Sequence, residues 1–249
     1  MKYTYLLIDM LSLLVPFLFS FHPKLKFYRH WKTLFPAILI TAVLFVPFDI
    51  YFTKLKVWGF NPAFVSGVYI SNLPVEELLF FLCIPYSCLF TFHCLSPLFD
   101  KAIPVRIINI VTATMIGSAM LMVAMFHDHA YTAFAFALTA VLLFAAQFVL
   151  KVKWLTKFYY TYSILLIPFL IVNGLLTGTG LAAPVVWYNN AENMNLRILT
   201  IPLEDVFYGM ALILFNLLVF KTLDEKLYEQ RKTLRTVLKY PEITNHIPE

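Results

Sequence analysis

The chain has 249 residues, of which 61% are apolar, 17% aromatic and only 13% charged. A water-soluble domain carries a larger charged surface than that, so the composition indicates a membrane protein. The formal net charge of +5 does not indicate a nucleic-acid partner, because the 19 basic residues sit in short clusters between apolar runs and never form a solvated stripe.

In chain order, apolar stretches long enough to cross a bilayer predict helices over residues 3–21, 33–52, 75–95, 104–126, 131–152, 158–176 and 203–220. The first is read as a retained span, since His22, Pro23 and Lys24 follow it in place of a small-residue cleavage pattern. Pro16, Pro36, Pro47, Pro85 and Pro168 fall inside spans and predict kinks, which neighbouring helices make tolerable. Cys83, Cys88 and Cys94 match no zinc or disulfide spacing and are read as packing residues. Fifteen lysines and arginines fall on one side of this arrangement and four, Lys2, Lys54, Lys56 and Arg197, on the other. The bias predicts an N-terminus outside, and with no targeting signal in the sequence the expected location of this multi-pass protein is the cell membrane. The same bias makes residues 221–249 a cytoplasmic tail, read as a solvated amphipathic helix.

Two segments correspond at an offset of 128 residues: LPVEELLFFLCIPYSCLF from Leu73 and IPLEDVFYGMALILFNLL from Ile201. Pro74 pairs with Pro202 and Glu76 with Glu204, while Val57, Trp58, Phe60 and Asn61 echo Val186, Trp187, Tyr188 and Asn189. Asp49 to Thr53 likewise echoes Asn173 to Thr177. A shift of four helices preserves direction across the membrane, so the repeats are parallel. The predicted fold is all-α and polytopic, with seven transmembrane helices built from two parallel three-helix repeats joined by a connecting helix. The expected boundaries are residues 1–97 for the first repeat, 98–128 for the connector, 129–220 for the second repeat and 221–249 for the tail.

The same parity puts Glu76, Glu77, Glu204 and Asp205 at one end of two equivalent helices, with Asp9, Asp49, Asp128 and Glu192 toward that side. Proline followed by acidic residues is also how many helices begin, because proline presets the backbone and carboxylates favour the positive end of the dipole. Carboxylates embedded in apolar sequence nevertheless point to function. Two carboxyl groups flanking one apolar cavity can divide acid and base roles. Adjacent residues on a helix diverge by about 100°, so only one of each doublet can face such a cavity squarely. Glu76 and Glu204 are read as the inward pair, with Glu77 and Asp205 as their partners. Trp58 and Trp187 are either interfacial anchors or cation-stabilising walls.

Other patterns are weaker. His127-Asp128-His129 occupies a short turn where polar residues are expected, and Gly178-Thr179-Gly180 lacks the context of a dinucleotide site. No metal site and no cofactor are expected.

The segments FNPAFVSGVYISNLPVEELLFFLCIPYSCLF from Phe60 and IPLEDVFYGM from Ile201 resemble the lycopene cyclase domain, known as small membrane subunits and as fused chains in bacteria, archaea and fungi. The resemblance covers about residues 1–220, and the doubled motif makes the chain similar to the fused form. It implies redox-neutral cyclisation of the ψ-ends of lycopene to γ- and β-carotene within the bilayer, the reaction of an intramolecular lyase or isomerase. A proton adds to the terminal double bond, an internal double bond attacks the tertiary cation, and proton loss leaves the ring. Glu76, Glu77, Glu204 and Asp205 become the candidate catalytic residues, with the order of acid and base open. Asp49, Trp58, Phe60, Asn61, Asn173, Trp187, Tyr188 and Asn189 become candidate substrate-binding residues. The expected partners are a lipid-soluble carotenoid, membrane lipids and other carotenoid-pathway enzymes. A longer C50 substrate, an ε-ring product, a proton-coupled transporter and a noncatalytic scaffold are the competing readings. Transport predicts a water-lined passage across the membrane, and cyclisation predicts an apolar pocket opening sideways to lipid.

Overall fold

The computed structural model of the protein describes residues 2–99 and 103–239. Its helices follow the apolar runs: α1 (Thr4–Phe19), α2 (Trp31–Lys54), α3 (Val75–Leu95), α4 (Val105–Met125), α5 (Ala130–Phe144), α6 (Leu155–Leu176) and α7 (Leu203–Lys239). Six of them are long and apolar enough to cross a membrane, whereas α1 has 16 residues. At ~1.5 Å per residue α1 falls a little short of a bilayer core of about 30 Å. Large apolar side chains such as Leu7, Leu18, Val43, Ile107 and Ile167 are exposed on the outer faces, as bilayer contact requires. The last helix does not stop at residue 220 but continues unbroken to Lys239, and residues 240–249 of the expected tail lie outside the described residues.

The duplication is visible in the packing. Helix α1 lies along α3 as α5 lies along α7, and the two halves meet where α2 packs on α7 and α6 on α3. Connector α4 packs on α5 alone among its principal contacts and buries only Ile108, Thr112 and Ala119. The protein therefore consists of two parallel three-helix repeats with a peripheral linking span.

Internal prolines leave the helices continuous, and at Pro16 the freed carbonyl finds another donor. Pro16 carries no N–H for the carbonyl of Ser12, and the Ser87 hydroxyl of α3 donates to that oxygen at 2.9 Å instead.

Between α2 and α3, and again between α6 and α7, the chain forms a small loop layer. The first loop holds strands β1 (Trp58–Phe60), β2 (Tyr69–Ile70) and β3 (Leu73–Pro74); the second holds β4 (Val186–Tyr188), β5 (Arg197–Ile198) and β6 (Ile201–Pro202). Strands β2 and β3 form a hairpin, as do β5 and β6, while β1 pairs antiparallel with β4 and joins the two repeats. The pairing is symmetric: the Asn61 N–H donates to Val185 O and the Asn189 N–H to Val57 O, both at 2.8 Å. Beneath this layer lies the site. The far end of the bundle is closed by a core that includes Phe27, Leu34, Leu89, Leu143, Phe158 and Leu214.

Candidate functional site

Each Pro-x-Glu-acid motif begins a helix directly after a two-residue strand. Pro74 sits in extended backbone as the residue before α3, so the first turn presents Val75, Glu76 and Glu77. The loop leading into each hairpin carries a half-buried N–H group that needs an acceptor. Glu76 supplies it, accepting the Ser66 N–H at 2.6 Å, and Glu204 does the same for Met194 at 2.7 Å. The Thr132 hydroxyl of α5 also donates to Glu204, at 2.6 Å. Glu76 and Glu204 are fully buried and turned toward their own loops.

The expected orientation of the doublets is therefore reversed. With the first carboxyl committed to the loop, the rotation of about 100° per residue aims the second at the space between the repeats. Glu77 and Asp205 line a cavity of about 90 Å³ together with Asp49, Asn173, Trp58 and Tyr208.

Equivalent tyrosines hold the two carboxyl groups. Tyr5 of α1 donates to Glu77 Oε2 at 2.6 Å, and Tyr131 of α5 donates to Asp205 Oδ1 at 2.5 Å. From there the halves differ. Asp205 accepts two further bonds, from the Asn173 amide at 2.9 Å and the Tyr188 hydroxyl at 3.0 Å. Glu77 instead lies beside the carboxyl of Asp49 in the same cavity, and the Tyr208 hydroxyl lies 3.3 Å from Asp49 Oδ1. Two carboxyl groups placed together in an apolar cavity favour sharing one proton, because two negative charges there repel each other. The three groups around Asp205 are all donors, which satisfies it as a carboxylate.

Aromatic rings wall the site. Trp58 is buried, with its ring 5.1 Å from Tyr131 and 6.2 Å from Tyr188. Trp187 is not its counterpart in space: it is 39% exposed and does not line the cavity. Residues opposite each other in an antiparallel ladder point to the same side, and the register sets Trp58 against Tyr188 but Trp187 against Gly59. Trp187 consequently lies outside, over the bare Gly59.

The remaining candidates divide as follows. Phe60 is partly buried and stacks on Tyr5 at 6.4 Å, behind the cavity wall. Asn61 and Asn189 stand apart from the cavity and shape their loops, each accepting a backbone N–H two residues on, from Ala63 and Ala191, at 3.1 Å. Asp128 stays in the exposed turn against His127, and Glu192 accepts the Ala130 N–H. Asp9 is fully buried near Glu76 and Glu77, and neither of its oxygens has a hydrogen-bond partner among the described residues.

Sequence reasoning missed Tyr5 and Tyr131. Each stands near the start of the first helix of its repeat, and their correspondence is a signal that comparing the motif segments alone passes over. Phe169, Val186 and Leu212, also on the wall, are apolar residues in apolar sequence and carry no such mark.

The model of one protein family, described as lycopene cyclase, matches residues 2–95 and again residues 128–223. The two matched regions are the two three-helix repeats, and α4 is the segment between them. No curated protein and no solved structure matches the chain. The match spans well over half of the sequence, and both halves of it contribute carboxyl groups to the same cavity, so the chain belongs to the lycopene cyclase family of membrane-embedded carotenoid cyclases.

Proposed function

We propose that the protein is a lycopene β-cyclase in which the Asp49–Glu77 pair donates the initiating proton and Asp205 removes the final one. The observation that carries this reading is the difference between the two half-sites: two neighbouring carboxyl groups, Asp49 and Glu77, face a single carboxyl group, Asp205, that receives only donors. The proton held by Asp49 and Glu77 adds to the terminal double bond of a ψ-end, leaving a tertiary cation. An internal double bond closes the ring, and Asp205 accepts the proton whose loss forms the ring double bond. No electrons leave the substrate, and each turnover moves one proton from one half-site to the other, so the class is intramolecular lyase or isomerase. Trp58 presents a ring to the developing positive charge, and the tyrosines around it extend that aromatic surface. An aliphatic and aromatic core fills the far half of the bundle, which favours this reading over a transport path. The repeats extend over residues 1–97 and 129–220, and the N-terminus faces outward with the C-terminus in the cytoplasm, as the basic residues favour.

The test is expression in a bacterial host that accumulates lycopene, with chromatography of the extracted pigments. Wild type converts lycopene to γ- and β-carotene, and Glu77→Gln and Asp205→Asn leave it unconverted. An ε-ring product would reassign the proton removed, and conversion only of a C50 substrate would reassign the substrate.

A further inference from the structure

The cavity between the half-sites continues sideways. Phe80, Ile84, Phe169 and Asn173 line it and also line a second, larger space of about 320 Å³ that runs between α1, α3 and α6. This groove ends among side chains of α1 and α6 that face out of the bundle, such as Leu11, which is 58% exposed.

Its polar side chains are already engaged. Ser12 donates to Ile8 O, Ser87 to Ser12 O and Cys83 O, and Thr91 to Ser87 O, so the wall offers a guest methyl and methylene surface rather than hydrogen bonds. A hydrocarbon is the ligand such a wall accepts without a desolvation penalty.

The duplication predicts a second groove on the opposite side, and side-chain size has closed it. Phe215 on α7 stands where α3 has Ser87; counted from Tyr5 and Tyr131, whose N–H groups donate to the equivalent loop carbonyls of Phe64 and Glu192, Leu138 on α5 stands where α1 has Ser12. Phe45 of α2 packs on Phe215 and on Tyr208, with ring centroids at 6.1 and 5.6 Å, and Leu138 joins the same cluster. Accordingly α2 lies close along α7 while its counterpart α6 stands off α3.

We propose that the α1–α3–α6 groove is the subsite for the uncyclised polyene chain and its lateral entrance from the bilayer, admitting one end of the substrate at a time. This inference rests on the cyclase reading and extends it to the route and the number of ends bound.

The test transplants the closed side onto the open one. Ser12→Leu and Ser87→Phe, alone and together, put into the groove the residues that the second repeat carries at the same positions. The double variant is expected to lower lycopene conversion on the order of tenfold or more at wild-type protein levels in the membrane. Ser87→Ala loses the bond to Ser12 without filling the space, and its activity falls far less. Val43→Phe on the lipid-facing side of α2 leaves conversion unchanged. Equal conversion by the filled variants and wild type overturns the groove while leaving the cyclase reading intact, and an equal loss in Ser87→Ala also overturns it. Should wild type convert no lycopene, the cyclase reading fails, and absorption spectroscopy of lycopene bound to purified protein decides the groove separately. Binding lost in the filled double variant supports it; binding retained there, or absent from wild type, overturns it.

Discussion

Asp49 and Asn173 occupy equivalent positions on α2 and α6, yet Asp49 meets Glu77 with a carboxyl group and Asn173 meets Asp205 with an amide. This exchange of an acid for an amide is the difference between the two half-sites that bears most directly on the proton, beside the shorter Asp205 and the added Tyr188 donor of the second. A cavity that must both give and take a proton needs such an inequality, and a perfect duplicate would lack it.

Removing the inequality is the sharpest test of the roles. Asp49→Asn places beside Glu77 the amide that Asn173 already shows to be sterically acceptable, so the protein is expected to fold. Conversion of lycopene should fall by about 10²- to 10⁴-fold, the usual contribution of a positioned acid. Turnover measured with detergent-dispersed lycopene checks this, and wild-type rates would remove Asp49 from the mechanism.

Within each doublet the two carboxyl groups should respond differently to the same change. Glu76→Gln retains an oxygen for the Ser66 N–H and is expected to keep most of its activity, whereas Glu77→Gln eliminates it. Glu76→Ala leaves the half-buried Ser66 N–H without its acceptor and should cost about 1 kcal/mol of stability. Thermal unfolding in detergent beside pigment analysis separates the two effects.

The staple between the repeats depends on a missing side chain. A Cβ placed at Gly59 would fall within the Trp187 indole, so Gly59→Ala should destabilise the β1–β4 pairing by about 1–3 kcal/mol through overpacking. Trp187→Ala in the same chain is expected to restore most of that loss, since it removes the obstructing ring. A double-mutant cycle on melting temperature reads the coupling, and additive effects would show that the contact is unimportant.

Single-ended entry has a kinetic signature. If the two ends of lycopene visit the groove separately, the monocyclic γ-carotene is released and competes for rebinding. A time course should therefore show γ-carotene rising before β-carotene and declining as lycopene is exhausted. β-Carotene appearing with no lag, and without the monocyclic product, would require both ends to be processed in one binding event.

The helices and their duplication were legible because a bilayer imposes a length and an apolar composition that a sequence displays openly. The carboxyl doublets were legible for a related reason, as charge is costly in that setting. Which member of a doublet faces the cavity was not legible. That choice is made by Ser66 and Met194, whose backbone N–H groups claim Glu76 and Glu204 from ten residues away. Trp187 was misjudged on similar grounds: its likeness to Trp58 is real in sequence, but strand register turns it outward opposite Gly59. Matching residues by sequence offset finds inherited positions, and the pairing of two copies then gives them unequal surroundings.

The pairing of β1 with β4 also bears on how such a chain assembles. Every hydrogen bond of that ladder runs from one repeat to the other, and the covalent link between the repeats passes through α4 at the periphery. A polypeptide cut near the end of α3 would thus lose a tether but none of the surfaces that recognise each other. Two separately made halves would be expected to find one another in the membrane, with activity rising as the product of their abundances and neither half active alone.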